Sequence, residues 1–264
     1  MSDPQSNYFV LPALTLWWRE MVRFFRQRDR VVGALATPIV FWLLLGFGLG
    51  KSFKTPGVPD GHGYLEYFYA GTLVMILLFT AIFSTISVIE DRREGFLQAV
   101  LVAPVGRFAI VLGKILGGTT LAFVQGLAFL ILAVPLGIHL DVISLTWLAV
   151  VMFLVSFALT GLGFVIAWQM NSTQGFHAIM NLFLIPLWLL SGAVFPSDGA
   201  PVWLGWVMKL NPLSYGVTAL REGLYWGWPH PDALFALAVT TAFAVGMFVF
   251  SLAVAQRTTR GDLQ

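Results

Sequence analysis

EDRREGFLQAVLVAPVGRFAIVLGK, residues 90–114, is a charged block followed by a short apolar stretch, set between two long apolar segments. Glu90, Asp91, Arg92, Arg93 and Glu94 are five consecutive ionisable residues. On insertion scales Arg, Lys and Asp each cost about 2.5–3.5 kcal/mol at the centre of a membrane helix, so this block belongs in water. After it Phe96, Leu97, Val100 and Leu101 recur at helical spacing, Gln98 falls on the other side, and Pro104 favours a stop before itself. The pattern predicts a short helix with one apolar face, held at a membrane surface. A solvated loop whose apolar residues dip into lipid fits the same letters.

The surrounding chain supplies the membrane. Of 264 residues, 58% are hydrophobic and 11% charged, and the mean hydropathy is +0.83; soluble domains carry roughly a quarter charged residues. This is the composition of an all-α polytopic membrane protein. Spans of about 20 apolar residues are expected at 31–50, 64–89, 108–136, 143–168, 175–195 and 233–255. The first thirty residues contain Asp3, Glu20, Asp29 and five arginines, with no apolar stretch ending in a small-residue cleavage site, so no signal peptide is expected. The absence of cysteine excludes disulfides and thiolate metal sites.

Upstream, residues 10–30 place Arg19, Arg23, Arg26 and Arg30 along one helical face, with Trp18, Met21, Val22 and Phe25 largely opposite. This predicts an interfacial helix on an anionic leaflet, where each basic residue contributes about 1 kcal/mol; a nucleic-acid arm is the less favoured reading. With the N-terminus inside, eleven basic residues fall on the inner side: Arg19, Arg23, Arg26, Arg28, Arg30, Arg92, Arg93, Arg107, Lys114, Arg257 and Arg260. Lys51, Lys54, Lys209 and Arg221 fall outside. The asymmetry predicts cytoplasmic termini and a cytoplasmic 90–107 segment. The loop 169–174, QMNSTQ, is uncharged and adds nothing.

Downstream, residues 196–228 are too polar and too broken by Pro and Gly to span, yet rich in Trp and Tyr. One or two short helices, about 201–209 and 213–226, are expected at or re-entering the outer leaflet. An exposed apolar cap is the simpler alternative.

Several motifs fail on inspection. GFGLGKS at 46–52 ends like a phosphate-binding loop, but Leu45 stands where its first Gly is required and no strand precedes it. Ser191 lies fourteen residues from His177, about 20 Å of helix, too far for a nucleophile and its base on one helix; Asn181 and these two read as helix-packing groups. His62, His139 and His230 lack carboxylates at metal-ligand spacing. No Asp, Glu, Arg or Lys is expected at mid-bilayer, with Glu66 and Lys114 near helix ends and able to snorkel. Ion-coupled carriers rely on buried ionisable groups, so the energy source should be external. Gly113, Gly117, Gly118, Gly161 and Gly163 offer surfaces for close helix packing.

DRREGFLQAVLVAPVGRFAIVLGK resembles the loop between the second and third helices of ABC-2 type permeases, and LSGAVFPSDGAPVWLGWVMKLNPLSYGVTALR resembles their L-S-G-x-x-F-P, P-x-W-L and N-P-L-x-Y pattern. The resemblance covers roughly a quarter of the chain. It implies a single 1–264 domain of six transmembrane helices, the permease half of an ATP-driven exporter in a bacterial-type inner membrane. The chain would pair with a second copy or a paralogue and with two ATPase subunits; ATP and magnesium would sit on those subunits, with no cofactor, metal or nucleic acid on this chain. By resemblance Glu94, Gly95, Phe96, Leu97, Leu101, Pro104 and Arg107 form the coupling helix that docks on the ATPase. Pro196, Trp203, Asn211, Pro212, Tyr215 and Arg221 mark the outer cap. Many relatives carry an acidic residue where this chain has Arg93, and Glu94 is one place off. The substrate would pass along helices 1, 2 and 5, and walls of Phe, Leu and Trp suit a lipid, a hydrophobic drug or a lipid-linked glycan. An ATPase-independent facilitator or an intramembrane enzyme is the alternative.

Overall fold

The computed structural model describes residues 4–50, 63–197, 200–227 and 230–257. Its elements are α1 (Pro4–Arg26), α2 (Arg28–Leu49), α3 (Tyr64–Ser84), α4 (Ile86–Arg93), α5 (Phe96–Val102), α6 (Arg107–Leu130), α7 (Val142–Trp168), α8 (Thr173–Trp188), α9 (Val202–Leu210), α10 (Pro212–Tyr225) and α11 (Pro231–Arg257). The last turn of α6 tightens over Ile131–Leu136, and α8 widens into a final turn at Leu189–Ala193. Among the described residues, six helical segments are long and apolar enough to cross a membrane. Among the described residues the structure is entirely helix, turn and loop.

A helix that is apolar on every side belongs in the interior, and α3 occupies it. Nearly all of α3 is buried, between α2, α6, α7, α8 and α10. Around it α2, α8 and α11 leave most of their length uncovered, including Leu44, Phe47, Leu182, Phe183 and Phe235. Such faces suit hydrocarbon or another membrane helix.

The expected span 64–89 is interrupted: α3 stops at Ser84 and α4 begins at Ile86. Likewise α1 ends at Arg26, Gln27 breaks the helix, and α2 starts at Arg28, so the backbone of Arg30 lies on α2 and not on the N-terminal helix. The side chain of Arg30, like residues 51–62 with Lys51, Ser52 and His62, lies outside the described residues.

At the end of the bundle rich in Trp, α10 is more than a lid. Leu213, Val217, Ala219, Leu220 and Leu224 are buried, and a Cβ on Gly216 would stand 2.9 Å from Val155 Cγ2, halfway along α7. The helix starts where Asn211 caps it, its side chain accepting from Leu213 N at 3.0 Å and its amide donating to Leu187 O at 2.6 Å. Trp203, Trp206 and Trp226 stay exposed on this rim.

Candidate functional site

The segment 90–107 folds against three other parts of the chain. Between α4 and α5, Gly95 adopts φ 78°, a left-handed conformation that residues with a Cβ reach only at a cost, and this turns the chain sharply. α5 then lies with Leu97 in the main core and Phe96 half-buried, the guanidinium of Arg19 stacked 3.8 Å over the Phe96 ring. Gln98, Ala99, Val102 and Pro104 remain exposed on the far side.

Beneath α5 is a buried group of charges. Asp91 is fully buried. It accepts a paired hydrogen bond from Arg19 (Nη1 to Oδ2 2.8 Å, Nη2 to Oδ1 2.7 Å), one from Arg23 at 2.7 Å, and one from the ammonium of Lys114. Arg23 also reaches Glu90 at 2.6 Å, and Lys114 also bonds Glu20 at 2.5 Å. Three helices, α1, α4 and α6, therefore share one ionic joint, and α5 rests on it through the Phe96 ring beneath Arg19. A buried charge is tolerated only when paired and hydrogen-bonded, and here each buried ion meets at least one of opposite sign. Partial burial works against the charge on Arg19, but its hydrogen bonds and Coulomb attraction to Asp91 outweigh that and hold its pKa above the ordinary arginine value.

Close helix contact makes the joint possible. A Cβ on Gly113 would lie 2.7 Å from Ala13 O, and one on Gly117 would lie 2.8 Å from the Glu20 Cβ. Glycines at these two positions let α1 run beside the first half of α6, fixed by Trp17 Nε1 donating to Thr120 Oγ1 at 3.0 Å. On the other flank Arg92 donates to the carbonyl of Met170 and to Asn171 Oδ1, each at 3.1 Å, and to the Trp168 carbonyl. The uncharged loop 169–174 is thus the second mooring of this segment.

The geometry corrects four expectations. Asp91 does not lie in water, because three cations from other helices replace its hydration, something the local letters cannot price. Lys114 does not snorkel; it is buried and doubly paired. Arg19 and Arg23 are not a free basic face: they pair with Glu90 and Asp91, while Arg26 is exposed. Leu97 is a core residue and offers no side chain to a partner. Of the remaining residues singled out on this segment, Glu94 is largely exposed at 3.6 Å from Arg23, Leu101 is half-buried against the core, Pro104 is exposed and Arg107 opens α6. Glu20 was missed by sequence reasoning. The one signal was an acidic residue directly beside Arg19 on the face that carries Arg23.

At the opposite end Arg221 donates to Gly192 O at 3.0 Å and stacks 4.3 Å over Tyr67, Tyr215 donates to Lys209 O at 2.9 Å, Pro212 is the first residue of α10, Pro196 is half-buried in the turn after α8, and Trp203 is exposed. His177 packs on Phe83, and Ser191 donates to Trp188 O at 2.6 Å, which leaves both in packing roles.

Residues 13–225 match the ABC-2 type transporter family. The chain belongs to that family. The putative transport permease ycf38 of Cyanophora paradoxa is 28% identical over 90% of this chain and 82% of its own length. Nodulation protein J of Rhizobium leguminosarum bv. viciae is 29% identical over 94% and 97%. The daunorubicin resistance ABC transporter permease protein DrrB1 of Streptomyces coeruleorubidus is 26% identical over 83% and 77%. The chain is accordingly a multi-pass membrane protein of a transport family whose permeases pair with an ABC ATPase. The joint around Asp91 and the exposed face of α5 both fall within the matched region.

Proposed function

We propose that this ABC-2 chain is the membrane-spanning subunit of an ATP-driven exporter, working as a dimer with two ATPase subunits. Both termini and the 90–107 segment would face the cytoplasm of a bacterial-type inner membrane. In this reading α5 is the coupling helix, α1 lies in the inner leaflet with Leu11, Leu14, Trp18 and Phe25 towards lipid, and α10 re-enters from the outer side. One observation carries it: α5 is moored along one face by the core and the ionic joint, and bare along the other at Gln98, Ala99, Val102 and Pro104. A short helix held rigidly with one free face is suited to receive a push and pass it on. The ATPase dimer would hold α5 in two arrangements, and that difference in contact free energy would bias the bundle between inward-closed and outward-open states. The cargo proposed is hydrophobic or amphipathic: a lipid, a drug or a lipid-linked glycan.

The test uses the affinity-tagged full chain, purified from native membranes and searched by mass spectrometry for a Walker-motif ATPase. Such an ATPase is expected with the wild type and is expected to be lost from the double variant Ala99→Asp, Val102→Asp, which still elutes as a single species in detergent. Equal recovery with both proteins removes α5 as the contact. No ATPase with the wild type favours the facilitator.

A further inference from the structure

We infer that Asp91 is a positioning residue: it fastens α4 and α5 to α1 and α6, so that a displacement of α5 enters the bundle through α6 and not through α3. This rests on the reading of α5 as the ATPase contact. Two observations carry it.

Forward from α5, residues 103–106 lead into α6; backward, the covalent route runs through α4 to α3 and is interrupted at Thr85. There Thr85 N donates to Ile82 O at 3.0 Å, and the hydroxyls of Ser84 and Thr85 donate to carbonyls three residues back at 2.7 and 2.6 Å. The regular four-residue ladder does not pass this point, and hydroxyl back-bonding of this kind bends helices. A Cβ on Gly163 would stand only 2.8 Å from Thr85 Oγ1, so the hydroxyl that bends back at the break lies directly against the backbone of α7. A push along α4 is therefore spent on bending at Thr85.

α6, by contrast, is unbroken from Arg107 to Leu130. Its Lys114, in the second turn, meets Asp91 and Glu20. Charge pairs away from water act at a low effective dielectric and are far stiffer than the same pairs at a surface. Separating α4 from α6 would strip Asp91 of Lys114, and separating it from α1 would strip Asp91 of both arginines. Either leaves a buried charge unpaired, so the three helices shift together.

The chain has no cysteine, so introduced pairs can be spin-labelled without background. Leu14→Cys with Val102→Cys reads α1 against α5 in the chain alone. Leu127→Cys with Phe183→Cys reads α6 against α8 in nanodiscs with the co-purifying ATPase, with and without ATP. All four side chains are exposed, and labelled chain is diluted into unlabelled chain to suppress distances between copies. The wild type should give one narrow α1–α5 distance and an ATP-driven shift in the α6–α8 distance. Asp91→Asn should broaden the first and abolish the second while ATP hydrolysis continues, and Asp91→Glu should restore both. Lys114→Gln leaves both arginines on Asp91, so it should keep the narrow α1–α5 distance and lose the α6–α8 shift. It also decides the matter should Asp91→Asn fail to fold. A wild-type shift in either Asp91→Asn or Lys114→Gln, or no ATP-driven shift in the wild type, overturns the inference. Should no ATPase co-purify, the coupling reading falls, whereas the α1–α5 distance in Asp91→Asn still decides whether Asp91 fastens the two helices.

Discussion

At its charged end the bundle is tied by ions, and at its aromatic end by neutral groups. Around Asp91, three cations from α1 and α6 meet carboxylates from α1 and α4, with Asp91, Glu20 and Lys114 buried. Around the widened turn after α8, Gly192 takes φ 77° and leaves carbonyls without helical partners. Tyr67 and Arg221 donate to Gly192 O, Tyr64 donates to Val194 O, and Trp188 donates back to Gly71 O. Most of these donors are neutral and each bond is worth about 1 kcal/mol net. The charged joint converges on Asp91, so removing this one residue takes a partner from Arg19, Arg23 and Lys114 at once. The aromatic end spreads its load over separable bonds.

That contrast sets the order of effects in thermal unfolding of the detergent-purified chain. Asp91→Ala should cost the most, about 3–5 kcal/mol, as expected for breaking a buried ion network by one partner. Next comes Gly113→Leu, which drives a side chain into the backbone of α1 and should cost about 1–3 kcal/mol, together with loss of the α1–α5 proximity. Asn211→Ala removes the cap of α10 and its bond to Leu187 and should cost about 1–2 kcal/mol. Tyr67→Phe should cost only about 1 kcal/mol, since Arg221 still serves Gly192. Should Tyr67→Phe prove as damaging as Asp91→Ala, the contrast between the ends is wrong. Val102→Asp should be smallest, within about 0.5 kcal/mol, because Val102 is exposed and touches neither joint.

The two ends also differed in how readily they could be read from the letters. The apolar spans are announced by length and composition, since any run of about 20 apolar residues must leave water. Gly95 and Pro104 bound a short helix by local backbone preference alone. Asn211 followed by Pro212 is a helix start that local chemistry dictates. The cluster of Glu90 to Glu94 was misjudged because partners that neutralise Asp91 come from positions 72 and 68 residues upstream and 23 downstream. Lys114 was misjudged for the same reason. Nor could the break at Thr85 be seen, since Ser84 and Thr85 read as two tolerated hydroxyls in an apolar run.

What the sequence determined unaided is the class of molecule: six apolar helices, a charged segment between the second and third, and a Trp-rich segment before the last. Those features follow from solvation and from backbone preferences, which are properties of neighbouring residues. Only the tertiary structure decided that Asp91 is buried, that Leu97 faces inward, that α1 turns Arg19 and Arg23 towards α4, and that Arg92 holds the loop after α7. Each of these depends on which distant side chain arrives within 3 Å or so, and the energy of a charge in a membrane protein is set by that neighbour more than by its own identity.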